Sequence, residues 1–149
     1  MTIKHKVAAV QMTSTDDVEK NLSVALQLAN DAISDGAQLV VLPECFAYLG
    51  PEDGKFKIAE SLPDGGPILA RCQKLAAERK AELVLGGFYE KTPDPRRVRN
   101  ACVHVAADGS VRAVYRKIHL LDVDLPDGTV LKESTGVEPG TELVVTDTV

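Results

Sequence analysis

The sequence predicts an α/β fold built on a mixed sheet, and three observations point to it. An apolar run, Leu39-Val40-Val41-Leu42, stops at Pro43 and delivers Glu44, which reads as a parallel strand buried on both faces with a carboxylate just past its carboxyl end. Stretches of helical periodicity separate this run from a short apolar run before it and another after it, the strand-helix-strand order of a parallel sheet. Beyond residue 100 the pattern turns to strict alternation on either side of Asp108-Gly109, the mark of an antiparallel hairpin.

Val7-Ala8-Ala9-Val10, extended by Gln11 and Met12, reads as a short buried strand opening the fold. Asp16 with Glu19 three residues later suggests a capping box. Val18, Leu22, Ala25, Leu26, Ala29, Ala32 and Ile33 keep helical spacing up to Gly36, the expected C-terminal cap. After Glu44, Cys45 to Pro51 is a loop holding Phe46 and Tyr48, and Asp64-Gly65-Gly66-Pro67 is a turn that starts a helix with Pro at its first position. The stripe Ile68, Leu69, Cys72, Leu75 and Ala76 places Cys72 in the core. Glu82-Leu83-Val84-Leu85 closes a second strand-helix-strand unit, and Gly86-Gly87 implies a backbone that something approaches closely.

In the hairpin, Ala101, Val103 and Val105 face one way and Cys102 and His104 the other, before a turn of type I′ and a return strand through Val111, Ala113 and Tyr115. Asp124 to Pro139 reads as a long loop carrying Glu133, and a loop of that length inside a compact domain is usually functional. Glu142 to Thr146 reads as a last strand.

At 149 residues and 44% hydrophobic content the chain suits one domain with a core of its own. A net charge of -5 argues against a nucleic-acid partner, whose phosphates demand a basic face. Three unpaired cysteines, Cys45, Cys72 and Cys102, match neither a disulfide framework nor a zinc site. No leader pattern opens the chain and no apolar run reaches membrane-spanning length, so a soluble, cytoplasmic protein without a membrane partner is expected.

Glu44 is the first candidate site residue, because the carboxyl edge of a parallel sheet is where ligands collect and a carboxylate that loses part of its water there suits a general base. The plainer reading is a solvated Glu in a turn. Phe46 and Tyr48 either wall a substrate pocket or pack beneath their loop. Arg96, Arg97 and Arg99 form a solvated tip or a docking point for an anionic substrate. Cys102 and His104 are a packed Cys and a hydrogen-bonded His, or else a thiolate-imidazole pair or half a metal site.

Three segments, taken in order, resemble the carbon-nitrogen hydrolase (nitrilase) superfamily: Val40-Val41-Leu42-Pro43-Glu44, then Tyr115-Arg116-Lys117-Ile118-His119-Leu120, then Lys132-Glu133-Ser134 with Glu138-Pro139-Gly140. Gly86-Gly87-Phe88 and the run from Tyr115 to Pro126 are most similar to the deaminated glutathione amidase and omega-amidase branch. The resemblance implies a portion of a four-layer αββα sandwich, residues 1–149 being the amino-terminal part of a single domain. It implies Glu44 as general base, Lys117 as the cation that stabilises the tetrahedral intermediate and Glu133 as the carboxylate that orients them. It also implies a small-molecule amide substrate, a mechanism that asks for no metal or cofactor, a homo-oligomer, and a nucleophilic Cys on a strand beyond the segment matching Glu133. Cys45, Cys72 and Cys102 do not match that position. The competing expectation is a non-catalytic α/β binding or assembly module that keeps the scaffold without the chemistry.

Overall fold

The computed structural model describes residues 4–149. Its element order is β1 (Val7–Ala9), α1 (Val18–Ser34), β2 (Leu39–Leu42), α2 (Gly54–Ile58), α3 (Pro67–Arg79), β3 (Glu82–Lys91), β4 (Val98–Val105), β5 (Val111–Arg116), β6 (Asp122–Asp124) and β7 (Val130–Lys132), followed by a single 3₁₀ turn, Glu133–Thr135. Strands β1 to β5 form one sheet in sequence order. Strands β1, β2 and β3 are parallel, and β3, β4 and β5 antiparallel, so the sheet is mixed as expected.

Alternation gives the sheet one closed and one open face. Val40, Leu42, Leu83, Leu85, Val103 and Val105 point to the face covered by helices, where they meet Leu22, Ala25 and Ala29 of α1 and Ile68, Leu69, Cys72 and Ala76 of α3 in one core. Leu39, Val41, Val84, Cys102, Ala113 and Tyr115 point to the other face and are only half-buried. The inner strand β2 is therefore buried on one face rather than both. Strand β1 is an edge strand with Val7 61% exposed, not the buried strand its apolar run suggests.

Helix α1 starts one residue later than the capping-box reading: the N-cap is Asp17, whose carboxylate accepts from the Lys20 N–H at 3.0 Å. It ends as expected at Gly36, which takes φ +93° while the N–H groups of Gly36 and Ala37 reach back to the carbonyls of Ile33 and Ala32, a Schellman closure. Helix α3 begins at Pro67 and buries Cys72 completely, both as expected.

Three local expectations need correction. The hairpin turn is not type I′: only Gly109 has positive φ, and its N–H bonds to the Ala106 carbonyl at 2.8 Å. This is a type I turn closed by a left-handed glycine, which needs one such residue instead of two. The long loop expected over Asp124 to Pro139 instead contains β7, which pairs with β6 at its start, and the 3₁₀ turn. The short helix α2 lies between the Cys45–Pro51 loop and the Asp64–Pro67 turn, where the sequence suggested no element. Residues 142–146 form no strand, because no described segment pairs with them, and Leu143 and Val145 point into solvent.

Gly86 and Gly87 form a bulge where the β3–β4 register shifts between Leu85 and Phe88. A methyl group on Gly86 would sit 2.0 Å from the Leu42 carbonyl oxygen, so the end of β2 is what approaches this backbone. Gly87 takes φ +128°, and its carbonyl accepts from the Cys45 N–H at 2.9 Å. The bulge thereby fixes the backbone on both sides of Glu44. Gly86→Ala is expected to destabilise the fold by about 3 kcal/mol, as overpacking against rigid backbone does, and urea denaturation measures it.

Candidate functional site

Glu44 leaves the carboxyl end of β2, Lys117 follows the last residue of β5, and Glu133 opens the 3₁₀ turn after β7. Although far apart in the chain, the three meet. The Lys117 ammonium lies 3.4 Å from Glu44 Oε1 and 3.0 Å from Glu133 Oε2. Glu133 Oε2 also accepts from the Leu121 N–H at 2.7 Å, which pins that carboxylate to the backbone. The Lys117 backbone is held on both sides: its N–H donates to the Asn100 carbonyl at 2.9 Å and its carbonyl accepts from the Gly140 N–H at 2.9 Å.

The side chains differ in exposure, Glu133 at 19%, Lys117 at 29% and Glu44 at 54%. Partial burial works against a charged Lys117, but Glu133 and Glu44 outweigh it, so the ammonium holds its proton above the ordinary lysine range. Glu44 keeps just over half of its side-chain surface exposed, so its place at an apolar strand end costs it only part of its water. Beside the three lies a cleft of about 200 Å³ lined by Glu44, Gly86, Asn100, Cys102, Tyr115 and Lys117.

Sequence reasoning missed Asn100 and Tyr115 as members of this cleft. Asn100 donates through Nδ2 to Glu44 Oε1. The available signal was the period of the strand: Asn100 stands two residues before Cys102, on the face already marked by Cys102 and His104. Cys102 also lines the cleft, whereas His104 lies deeper, between Glu82 at 3.2 Å and Thr146 at 3.1 Å.

Phe46 and Tyr48 do not wall the cleft. Phe46 is fully buried and meets Phe88 edge to face with ring centroids 6.1 Å apart. Tyr48 is buried too, and its hydroxyl donates to the Pro51 carbonyl at 2.9 Å. Both pack beneath their loop, the alternative the sequence left open, because an aromatic with a partner across the core loses more water there than at an open rim. The arginines offer no shared anion site: Arg96 pairs with Asp94, Arg97 donates to the Ser134 and Val137 carbonyls, and Arg99 pairs with Glu138.

None of the three thiols is activated. Cys45 has left-handed backbone, φ +59°, and its sulfur lies 3.9 Å from the Tyr89 hydroxyl. Burial pushes its thiol up, Tyr89 opposing and Glu44 reinforcing the shift. Burial also raises Cys102, and pushes Cys72 up to about 12. A nucleophilic thiol needs the opposite shift. Among the described residues no group of three or more His, Cys, Asp or Glu is placed to hold a metal ion, and no helix is long and apolar enough to cross a membrane.

The family model for carbon-nitrogen hydrolases matches residues 6–149. The chain belongs to the carbon-nitrogen hydrolase family. It is 34% identical over 148 residues to a deaminated glutathione amidase of Dictyostelium discoideum, covering 95% of this chain and 51% of that protein. With the human deaminated glutathione amidase the identity is 36% over 140 residues, covering 92% and 42%. Among solved structures, the NitFhit protein of C. elegans superposes with a TM-score of 0.84 at 32% identity, over 94% of this chain and 34% of that one. Saccharomyces cerevisiae Nit3, a member of branch 10 of the nitrilase superfamily, gives 0.74 at 27% identity, over 93% and 49%. This carbon-nitrogen hydrolase chain thus spans about half the length of the curated relatives it matches. Its mixed sheet with helices on one face is part of the nitrilase α/β sandwich.

Proposed function

We propose that the chain is the amino-terminal part of a single carbon-nitrogen hydrolase domain, and that it supplies the proton-transfer and charge-stabilising groups of a thiol amidase. The observation that carries this reading is the Lys117 ammonium held between Glu44 and Glu133 at the rim of a cleft. In it, Glu44 takes the proton of an attacking thiol and returns it to the departing amine. Lys117 faces the carbonyl oxygen on which negative charge builds, and Glu133 keeps it charged and aimed. Water then opens the thioester, with Glu44 again accepting the proton, so the sum is amide plus water to acid plus amine.

The substrate class is a small carboxylated amide, of deaminated glutathione or omega-amide type. The names of the relatives from Dictyostelium discoideum and human support that choice. The nucleophilic Cys comes from sequence beyond Val149, and the working enzyme is a homo-oligomer in the cytoplasm. The three raised or buried thiols within residues 1–149 favour that placement of the nucleophile.

The test has two arms. The full-length protein is expected to release ammonia from the omega-amide of a short keto acid, or a keto diacid from deaminated glutathione. The 149-residue chain alone is expected to do neither, since it keeps binding groups without the covalent route. Turnover by the chain that Cys45→Ser abolishes, or a full-length protein inert toward both amides, overturns the reading.

A further inference from the structure

Glu44 is more than half exposed and leaves a loop, yet a general base works only when its carboxylate is held in one place. The residue that holds it is Asn100. Its side-chain amide donates to Glu44 Oε1, and since an ionised carboxylate only accepts, this contact fixes which end of the amide faces Glu44. Its backbone carbonyl accepts from the Lys117 N–H at 2.9 Å. Asn100 is itself buried, 7% exposed, on β4 in the middle of the antiparallel half of the sheet.

The glycine bulge makes room for this arrangement. A Cβ on Gly87 would lie 2.6 Å from Asn100 Oδ1 and 3.3 Å from Glu44 Cγ. Gly87 also carries φ +128°, where an L side chain is strained. The backbone at Gly87 is thus shaped so that the Asn100 amide and the Glu44 side chain fit side by side.

We infer that Asn100 is the positioning residue of the site: its side chain fixes the Glu44 carboxylate, its backbone fixes Lys117, and the bare backbone of Gly87 allows both. This rests on the amidase reading for its effect on rate but not for the contact itself. Asn100 need not touch the reacting atoms. It acts by keeping base and cation in register, so its loss lowers turnover without weakening substrate binding in proportion.

Two measurements separate the contact from the chemistry. In the full-length protein, NMR follows the Asn100 side-chain amide, one proton of which is expected downfield and slow to exchange with solvent, and fast in Glu44→Ala. In the full-length protein, Asn100→Ala is expected to lower kcat about 100-fold while KM moves less than about 3-fold, the scale of a misplaced catalytic group. In a Glu44→Gln background the same change is expected to cost no more than about 2-fold, because residues acting as one unit are not additive. Asn100→Asp, of the same shape but with an acceptor facing Glu44, guards against a folding defect and is expected to match the kcat loss with an unchanged circular dichroism spectrum.

A fast-exchanging Asn100 amide in the wild-type protein overturns the inference, as does an undiminished Asn100→Ala effect in the Glu44→Gln background. If the full-length protein hydrolyses no amide, the amidase reading fails, while a slow Asn100 proton that Glu44→Ala releases still upholds the clamp.

Discussion

Lys117→Met is expected to lower the kcat of the full-length protein about 10³-fold, the scale on which removal of a preorganised oxyanion donor acts. Met keeps the length and apolar stem of the side chain, so the cleft wall survives and only the ammonium is lost. KM is expected to change little, because the charge it stabilises develops in the transition state rather than in the bound amide. Glu133→Gln should fall short of this, at about 10²-fold, since Lys117 keeps its second partner Glu44 at 3.4 Å. The module reading makes a different forecast. There the triad is an ion-pair cluster with no substrate, the wild-type protein turns over nothing, and Lys117→Met shows only in the melting curve. Steady-state ammonia release from the wild type and both variants separates the two.

The second large effect concerns stability. Phe46→Ala is expected to cost about 3–5 kcal/mol, because it removes a fully buried ring that contacts Phe88 and leaves a cavity the surrounding strands do not close. Phe46→Leu keeps most of the volume and is expected to cost roughly 1–1.5 kcal/mol, without altering KM of the full-length protein. Urea denaturation reads both stability losses and steady-state kinetics the unaltered KM. If Phe46→Leu instead changed KM by an order of magnitude, Phe46 would wall the substrate site after all.

The parts of the fold that the sequence reveals are those whose signal is local. The run Leu39 to Leu42 ending at Pro43, the stripes of α1 and α3, the helix stop at Gly36 and start at Pro67 and the alternation about Asp108-Gly109 all lie within a few residues of the structure they specify. Pairings made far along the chain are hidden. Leu143 and Val145 alternate like a strand, but alternation cannot supply the partner that a strand requires, and both are exposed. Phe46 finds Phe88 across the core, a contact that a loop sequence does not announce. Helix α2 is five residues long, too short to show a period.

The site divides in the same way. Glu44, Lys117 and Glu133 come from motifs resembling those of a known family, and their convergence through Lys117 needed coordinates. Asn100 belongs to no motif that the sequence reading used. Its contact with Glu44 joins residues 56 positions apart and depends on a bulge whose purpose appears only once β2, β3 and β4 are side by side.

The measurement that bears most directly on this account is a crystal structure of the full-length protein, its nucleophile disabled, with a carboxylated omega-amide bound. The account predicts the amide carbonyl oxygen about 3 Å from Lys117 Nζ, with the Glu44 carboxylate beside the position of the missing thiol. An amide bound elsewhere, with neither Lys117 nor Glu44 in contact with it, would contradict the account.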